Sequence, residues 1–108
     1  FPSLPARHVL RCTIDVTAGR KQDAARACEA ALAIQADAAV PHLRLGTLAF
    51  DSGNRPAART HLELARVLDP SIQETWTLLA HVYRQGGPRV KLDELRLLYR
   101  ARFGRPLN

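Results

Sequence analysis

The side chains able to do chemistry are few and far apart. The histidines are His8, His42, His61 and His81, and the cysteines are Cys12 and Cys28. No two histidines stand at i, i+4, and no cysteine is close enough in sequence to complete a zinc pattern, so no metal site is expected. No Ser or Cys has an identifiable base partner. The Gly86-Gly87-Pro88 stretch has neither the spacing nor the lysine of a phosphate-binding loop. The expectation is a chain that is not an enzyme and takes no cofactor. One pairing stays open: His81 and Asp51 would approach one another if their helices are neighbours, as an acid–base pair or, more simply, as polar groups in a solvated groove. Cys12 and Cys28 read as two buried free thiols, because Cys behaves as a small hydrophobe; a disulfide is the alternative if the protein is exported.

Charge is the other candidate feature. The chain carries +6, but residues 1–83 contribute only +1 and residues 84–108 contribute +5. The last helical stretch interleaves Arg with aromatic and apolar residues. That pattern raises nucleic-acid backbone or an anionic membrane as partners. Both are disfavoured, since cations near a helix C-terminus already suit the helix dipole and the apolar side is needed to cover the preceding helix. A protein contact through this helix is the further alternative.

Length and composition bound what can hold these groups. The 108 residues fit one domain, and 46% hydrophobic content with 24% charge is that of a globular chain. The apolar residues are mostly Ala and Leu, which favours helix over sheet. There is no run of eighteen apolar residues, and the opening FPSLPARHVLRC lacks the pattern of a signal peptide. The sequence has no Met. The expectation is a piece of a longer protein or a processed form, with the cytoplasm slightly favoured and the periplasm as alternative.

Six helices are predicted. Pro2 and Pro5 suggest an extended lead-in before a helix over Ala6–Ala18, ended by Gly19. Ala24, Ala27, Cys28, Ala31 and Leu32 recur at the spacing of one buried helical face within Lys21–Gln35. Asp37 is the expected N-cap of a helix running to about Ser52, with Pro41 delaying its start. Asn54 caps the next, with Pro56 in its first turn and Ala58, Leu62 and Ala65 as its tight stripe. Asp69-Pro70 stops it, and Ser71 with Glu74 reads as a capping box for a helix carrying Trp76, Leu79, Ala80 and Tyr83. Pro88 opens the last helix, with Leu92, Leu95 and Tyr99 inward and Gly104 as its C-terminal cap.

The small residues obey a longer period. Gly46, Gly53, Ala58, Ala65 and Pro70 lie 34 residues after Cys12, Gly19, Ala24, Ala31 and Ala36, and 34 before Ala80, Gly87, Leu92, Tyr99 and Gly104. A fixed period of this length signals stacked helical repeats. Here it gives units near 5–36, 37–70 and 71–104. It also sets His42 in the place of Trp76, so His42 reads as a wedged structural residue.

With these residues the chain resembles the tetratricopeptide repeat (TPR) family. Trp76-x-x-Leu79-Ala80-x-x-Tyr83 is close to the family's W-x-x-L-G-x-x-Y signature, and Leu45, Gly46, Gly53, Ala58, Leu62, Ala65 and Pro70 match its small and terminating positions. Ala49 stands where a large aromatic is usual, with Phe50 beside it, and the first unit matches only through Gly19, Ala24 and Ala31. The resemblance implies an all-α fold: a right-handed superhelical stack of three helix-turn-helix repeats, six antiparallel helices forming a single domain over 1–108. It implies a concave face lined by the first helix of each unit. In this chain that face would hold Val9 and Thr13, then Leu43, Arg44, Thr47, Phe50 and Asp51, then Glu74, Thr77, Leu78, His81 and Arg84.

Such a face implies an interaction scaffold or adaptor that holds a protein or peptide partner. Only Arg44 could serve in the carboxylate clamp that one TPR subclass uses on chaperone tails, so that ligand is not expected. Two other readings are carried: a docking or regulatory module of a larger enzyme or secretion component, and a homo-oligomer formed through Leu95, Leu98, Phe103 and Leu107.

Overall fold

Small side chains decide where backbones of this chain meet. The computed structural model describes residues 4–87 and 89–108. Among them are six helices and no strand: α1 (Leu4–Thr17), α2 (Lys21–Ile34), α3 (Ala39–Asp51), α4 (Arg55–Leu68), α5 (Gln73–Gly86) and α6 (Arg89–Phe103). Each helix packs on the next, and α3 also touches α1 and α5. The Cα radius of gyration is 13.9 Å, the size expected of a compact chain of this length.

The α1–α2 and α3–α4 pairs are the tight ones. Ala24, Ala27, Cys28 and Ala31 are all buried on α2, as are Ala58, Leu62 and Ala65 on α4. Gly46 makes the second pair possible, because a Cβ there would lie 2.7 Å from Leu62 Cγ and 2.8 Å from its Cδ2. The turns inside both pairs use the left-handed conformation that only glycine adopts without strain, at Gly19 (φ +78°) and Gly53 (φ +79°), one period apart.

The third pair is built differently. Leu92 and Tyr99 stand where α4 has Ala58 and Ala65, and larger side chains hold the backbones further apart. Aromatic rings fill the gap: Trp76 meets Tyr99 edge-on at 5.7 Å and Phe103 at 5.9 Å, and Tyr99 meets Phe103 at 4.5 Å. The 105–108 segment then folds back. Leu107 is buried in the core formed by α3–α6, and Arg105 donates to Tyr99 Oη and to Gln73 Oε1.

Several local expectations change. The helix α1 begins at Leu4 with Pro5 inside its first turn, where a missing N–H is harmless, so Pro5 is no extended lead-in; Pro2 and Pro88 lie outside the described residues. Pro41 sits in the first turn of α3 for the same reason, and the N-cap is Ala38 rather than Asp37, so the helix starts one residue later. Asn54 does cap α4, accepting from the Ala57 N–H at 3.3 Å. Ser71 and Glu74 form no capping box: α5 starts at Gln73, and the Ser71 hydroxyl donates to Asp69 Oδ1 at 2.6 Å instead. Cys12 and Cys28 are not free thiols. They form a disulfide between α1 and α2, at fully buried positions whose Cα atoms are 5.0 Å apart, within bonding reach.

Asp15 breaks the apolar pattern of α1, yet it is fully buried. Arg11 and Arg20 close over it at 3.2 and 2.9 Å, which compensates the charge.

Candidate functional site

The odd-numbered helices bring part of the expected groove together. Arg44 on α3 and Glu74 on α5 form an ion pair, with one guanidinium nitrogen 3.0 Å from each carboxylate oxygen. Two turns along, the Phe50 and His81 rings lie beside one another, tilted by 50° with centroids 6.4 Å apart. These two bridges tie α3 to α5 and define one continuous strip of surface. Thr47 and Thr77 lie within the strip on α3 and α5, but their hydroxyls donate to their own helices, at Leu43 O (2.9 Å) and Gln73 O (3.3 Å). Asp51 and Arg84 are exposed at its far end and make no ion pair among the described residues. Asp51 therefore does not pair with His81. Leu78 is half-buried against the core.

Leu43 is a correction. It is 1% exposed and belongs to the core, because it faces α4 and α5 rather than solvent. Arg44 is already paired, so an incoming carboxylate would have to displace Glu74. The residues named for self-association divide in the same way. Leu95 and Leu107 are buried in their own chain and Phe103 is packed on Trp76 and Tyr99, so Leu98, about half exposed, is the one left facing solvent.

The histidines hold the arrangement that spacing did not reveal. His42 on α3 and His61 on α4 stack with centroids 5.5 Å apart and Nδ1 atoms 3.2 Å apart. His42 Nε2 lies 3.2 Å from Ala36 O. A carbonyl only accepts, so His42 Nε2 carries a proton, and one of the two Nδ1 atoms donates to the other. Burial first, and then the neighbouring His42, lower the His61 pKa. No sequence signal marked it, because the two residues lie 19 apart on different helices. His42 is indeed structural, but it is hydrogen-bonded as well as wedged. No group of three or more His, Cys, Asp or Glu that could hold a metal occurs among the described residues.

The chain matches no protein-family model and no curated protein.

Beside the strip lies a polar network that fixes α5 on α4. Tyr83 Oη donates to Glu63 Oε2 at 3.0 Å, and Arg59 Nε donates to Glu63 Oε1 at 3.0 Å. Burial and the Glu63 carboxylate push the Tyr83 phenol up to about 12. Arg66 lies over the Trp76 ring at 5.2 Å, and Trp76 Nε1 donates to Pro70 O at 2.9 Å. The network holds α5 in place under the strip. No helix of the described residues is long and apolar enough to cross a membrane.

Proposed function

We propose that the chain is a TPR-like interaction module that holds a protein or peptide segment against α1, α3 and α5. The single observation that carries this reading is the α3–α5 strip. Its exposed and half-exposed side chains include a guanidinium paired with a carboxylate and an aromatic ring beside an imidazole, groups suited to holding a polypeptide segment. The 34-residue recurrence of small residues and the tight packing within the first two pairs support the stacked-repeat reading. On this reading the module has no catalytic residue and needs no cofactor. Phe50 and His81 are the anchors, because aromatic and imidazole rings offer contact area at low entropic cost.

The test is affinity capture with the chain as bait, followed by comparison with Phe50→Ala/His81→Ala. The double variant is expected to retain far-ultraviolet circular dichroism and lose capture of any partner cross-linked to α3 or α5. Unchanged capture by a folded double variant refutes the assignment.

A further inference from the structure

Two rings that share one proton between neighbouring helices form a device of their own. His42 on α3 is buried, and His61 on α4 is partly so. Their Nδ1 atoms are 3.2 Å apart while the ring centroids are 5.5 Å apart. The difference is two ring radii, so both Nδ1 atoms lie on the line between the centroids and point straight at each other. That is the geometry of a linear N–H···N bond. It does not suit a tetrahedral metal ion such as zinc, whose ligands converge on a third point. His42 Nε2 is fixed separately, because it donates to Ala36 O at 3.2 Å. His61 Nε2 has no hydrogen-bond partner among the described residues and is open to solvent.

Counting protons on these four nitrogens gives three states. With two, both rings are neutral, His61 Nδ1–H donates to His42 Nδ1, and His61 Nε2 is bare. A third proton has that bare nitrogen to occupy, and the bond between the helices is kept as a charge-assisted one. A fourth can only go between the rings. It would set two N–H groups head to head at 3.2 Å, with no acceptor and two positive charges side by side.

The surrounding elements offer no carboxylate to relieve that state. Asp15 on α1 is held by Arg11 and Arg20, Glu63 on α4 by Arg59 and Tyr83, and Glu74 on α5 by Arg44 of α3. Asp69, after α4, accepts from Ser71. Asp23 and Glu29 of α2, Asp37 beside Ala36 in the α2–α3 turn, and Asp51 of α3 are exposed and form no ion pair with either imidazole. Of the nearest cations, Arg66 on α4 lies over Trp76. Burial and the His42 charge lower the His61 pKa, the direction this geometry requires.

We propose that His42 and His61 form an acid-sensitive latch between α3 and α4, closed while the pair carries two or three protons and opened by a fourth. Once opened, both rings protonate near the ordinary histidine value of about 6.5, whereas the closed pair refuses the last proton. Stability from the latch is therefore complete above that value and is lost as pH falls below it. Because α3 also carries Arg44 and Phe50, the open form loosens one wall of the strip. The latch itself stands whether or not the strip holds a partner.

Imidazole nitrogen-15 spectra of the full chain, taken from neutral to acid pH, test this on the wild type, with His8 and His81 as references in the same molecule. His42 and His61 are expected to titrate as a pair in two steps, the second about one pH unit or more below the references. The coupling between the two Nδ1 nuclei across the shared proton should survive the first step and vanish in the second. Amide protection on α3 and α4, corrected for intrinsic exchange, should fall by about tenfold per pH unit in the second step, since opening takes up one proton. His42→Phe/His61→Phe, which keeps rings of similar shape, should lose this dependence. Separate titration of the two rings at the reference value, with no Nδ1 coupling at neutral pH, overturns the proposal. So does protection that falls equally in the double variant. If that variant fails to fold, the wild-type spectra still decide, because a fully protonated pair with α3 and α4 as well protected as before refutes the latch.

Discussion

Gly46→Ala, a change of one methyl group, tests the close approach of α3 and α4 on which the second pair depends. Two effects oppose each other. Replacing glycine by alanine within a helix contributes about 1 kcal/mol of stability through backbone entropy. The new Cβ, however, would sit 2.7 and 2.8 Å from Leu62 Cγ and Cδ2, and Leu62 is fully buried and has nowhere to retreat. Overpacking of this kind costs about 1–3 kcal/mol. The net expectation is a loss of up to about 2 kcal/mol, or several degrees in Tm for a domain of this size. Leu62→Ala alone should cost about 2–5 kcal/mol through the cavity it leaves. In that cavity the Gly46→Ala methyl meets no clash, so the double variant should be about 1 kcal/mol more stable than Leu62→Ala. Urea titration followed by circular dichroism and Trp76 fluorescence reads all four proteins, with the m-value checking that the transition is the same one. If Gly46→Ala stabilises the wild-type chain by the full propensity gain, the backbones do not meet there and the packing described for α3 and α4 is wrong.

Four further outcomes are expected. Cys12→Ala/Cys28→Ala should lose about 3 kcal/mol, since the bridge closes a loop spanning 16 residues in the unfolded chain; equal denaturation midpoints with and without reductant would remove the bridge from the stability account. Tyr83 has its folded-state pKa raised to about 12, so the folded state favours the protonated phenol. Its contribution is complete below pH about 10 and is lost as pH rises towards 12; alkaline unfolding should show this loss in wild type and lack it in Tyr83→Phe. Asn54→Ala should cost about 0.5–1 kcal/mol as the loss of a helix cap, whereas Ser71→Ala should leave the α5 N-terminus unchanged in hydrogen exchange because Ser71 bonds Asp69 rather than α5.

The helices were most legible where small residues mark a buried face at helical spacing, on α2 and α4, and Asn54 because it precedes Pro56 where a first turn must begin. The caps at Asp37 and Ser71 were misread for a local reason. The N-cap of α5 falls on Ile72, one residue past Ser71, and α3 begins one residue beyond the position that Asp37 could cap. Sequence pattern also hid what depends on two helices at once. Asp15 looked like a polar interruption of α1, but Arg20 from the following turn makes its burial tolerable. The His42–His61 contact joins residues 19 apart that only the register of α3 on α4 brings together. Of the expected strip, Arg44, Phe50, Glu74 and His81 were placed together. Leu43 was misplaced because it shares the apolar side of α3 that the core also claims. The 34-residue period likewise said nothing of the wider third pair, whose Leu92 and Tyr99 replace alanines.

The bridge between α1 and α2 also bears on how copies of the chain can entangle. Exchange of a terminal helix between two molecules is a low-cost route to dimers wherever that helix can detach and find the same berth in a neighbour. A covalent ring closed across so short a stretch of chain forbids the trade. The first helix of each molecule is kept for its own use, and a dimer that forms in oxidising surroundings cannot trade α1 away from α2.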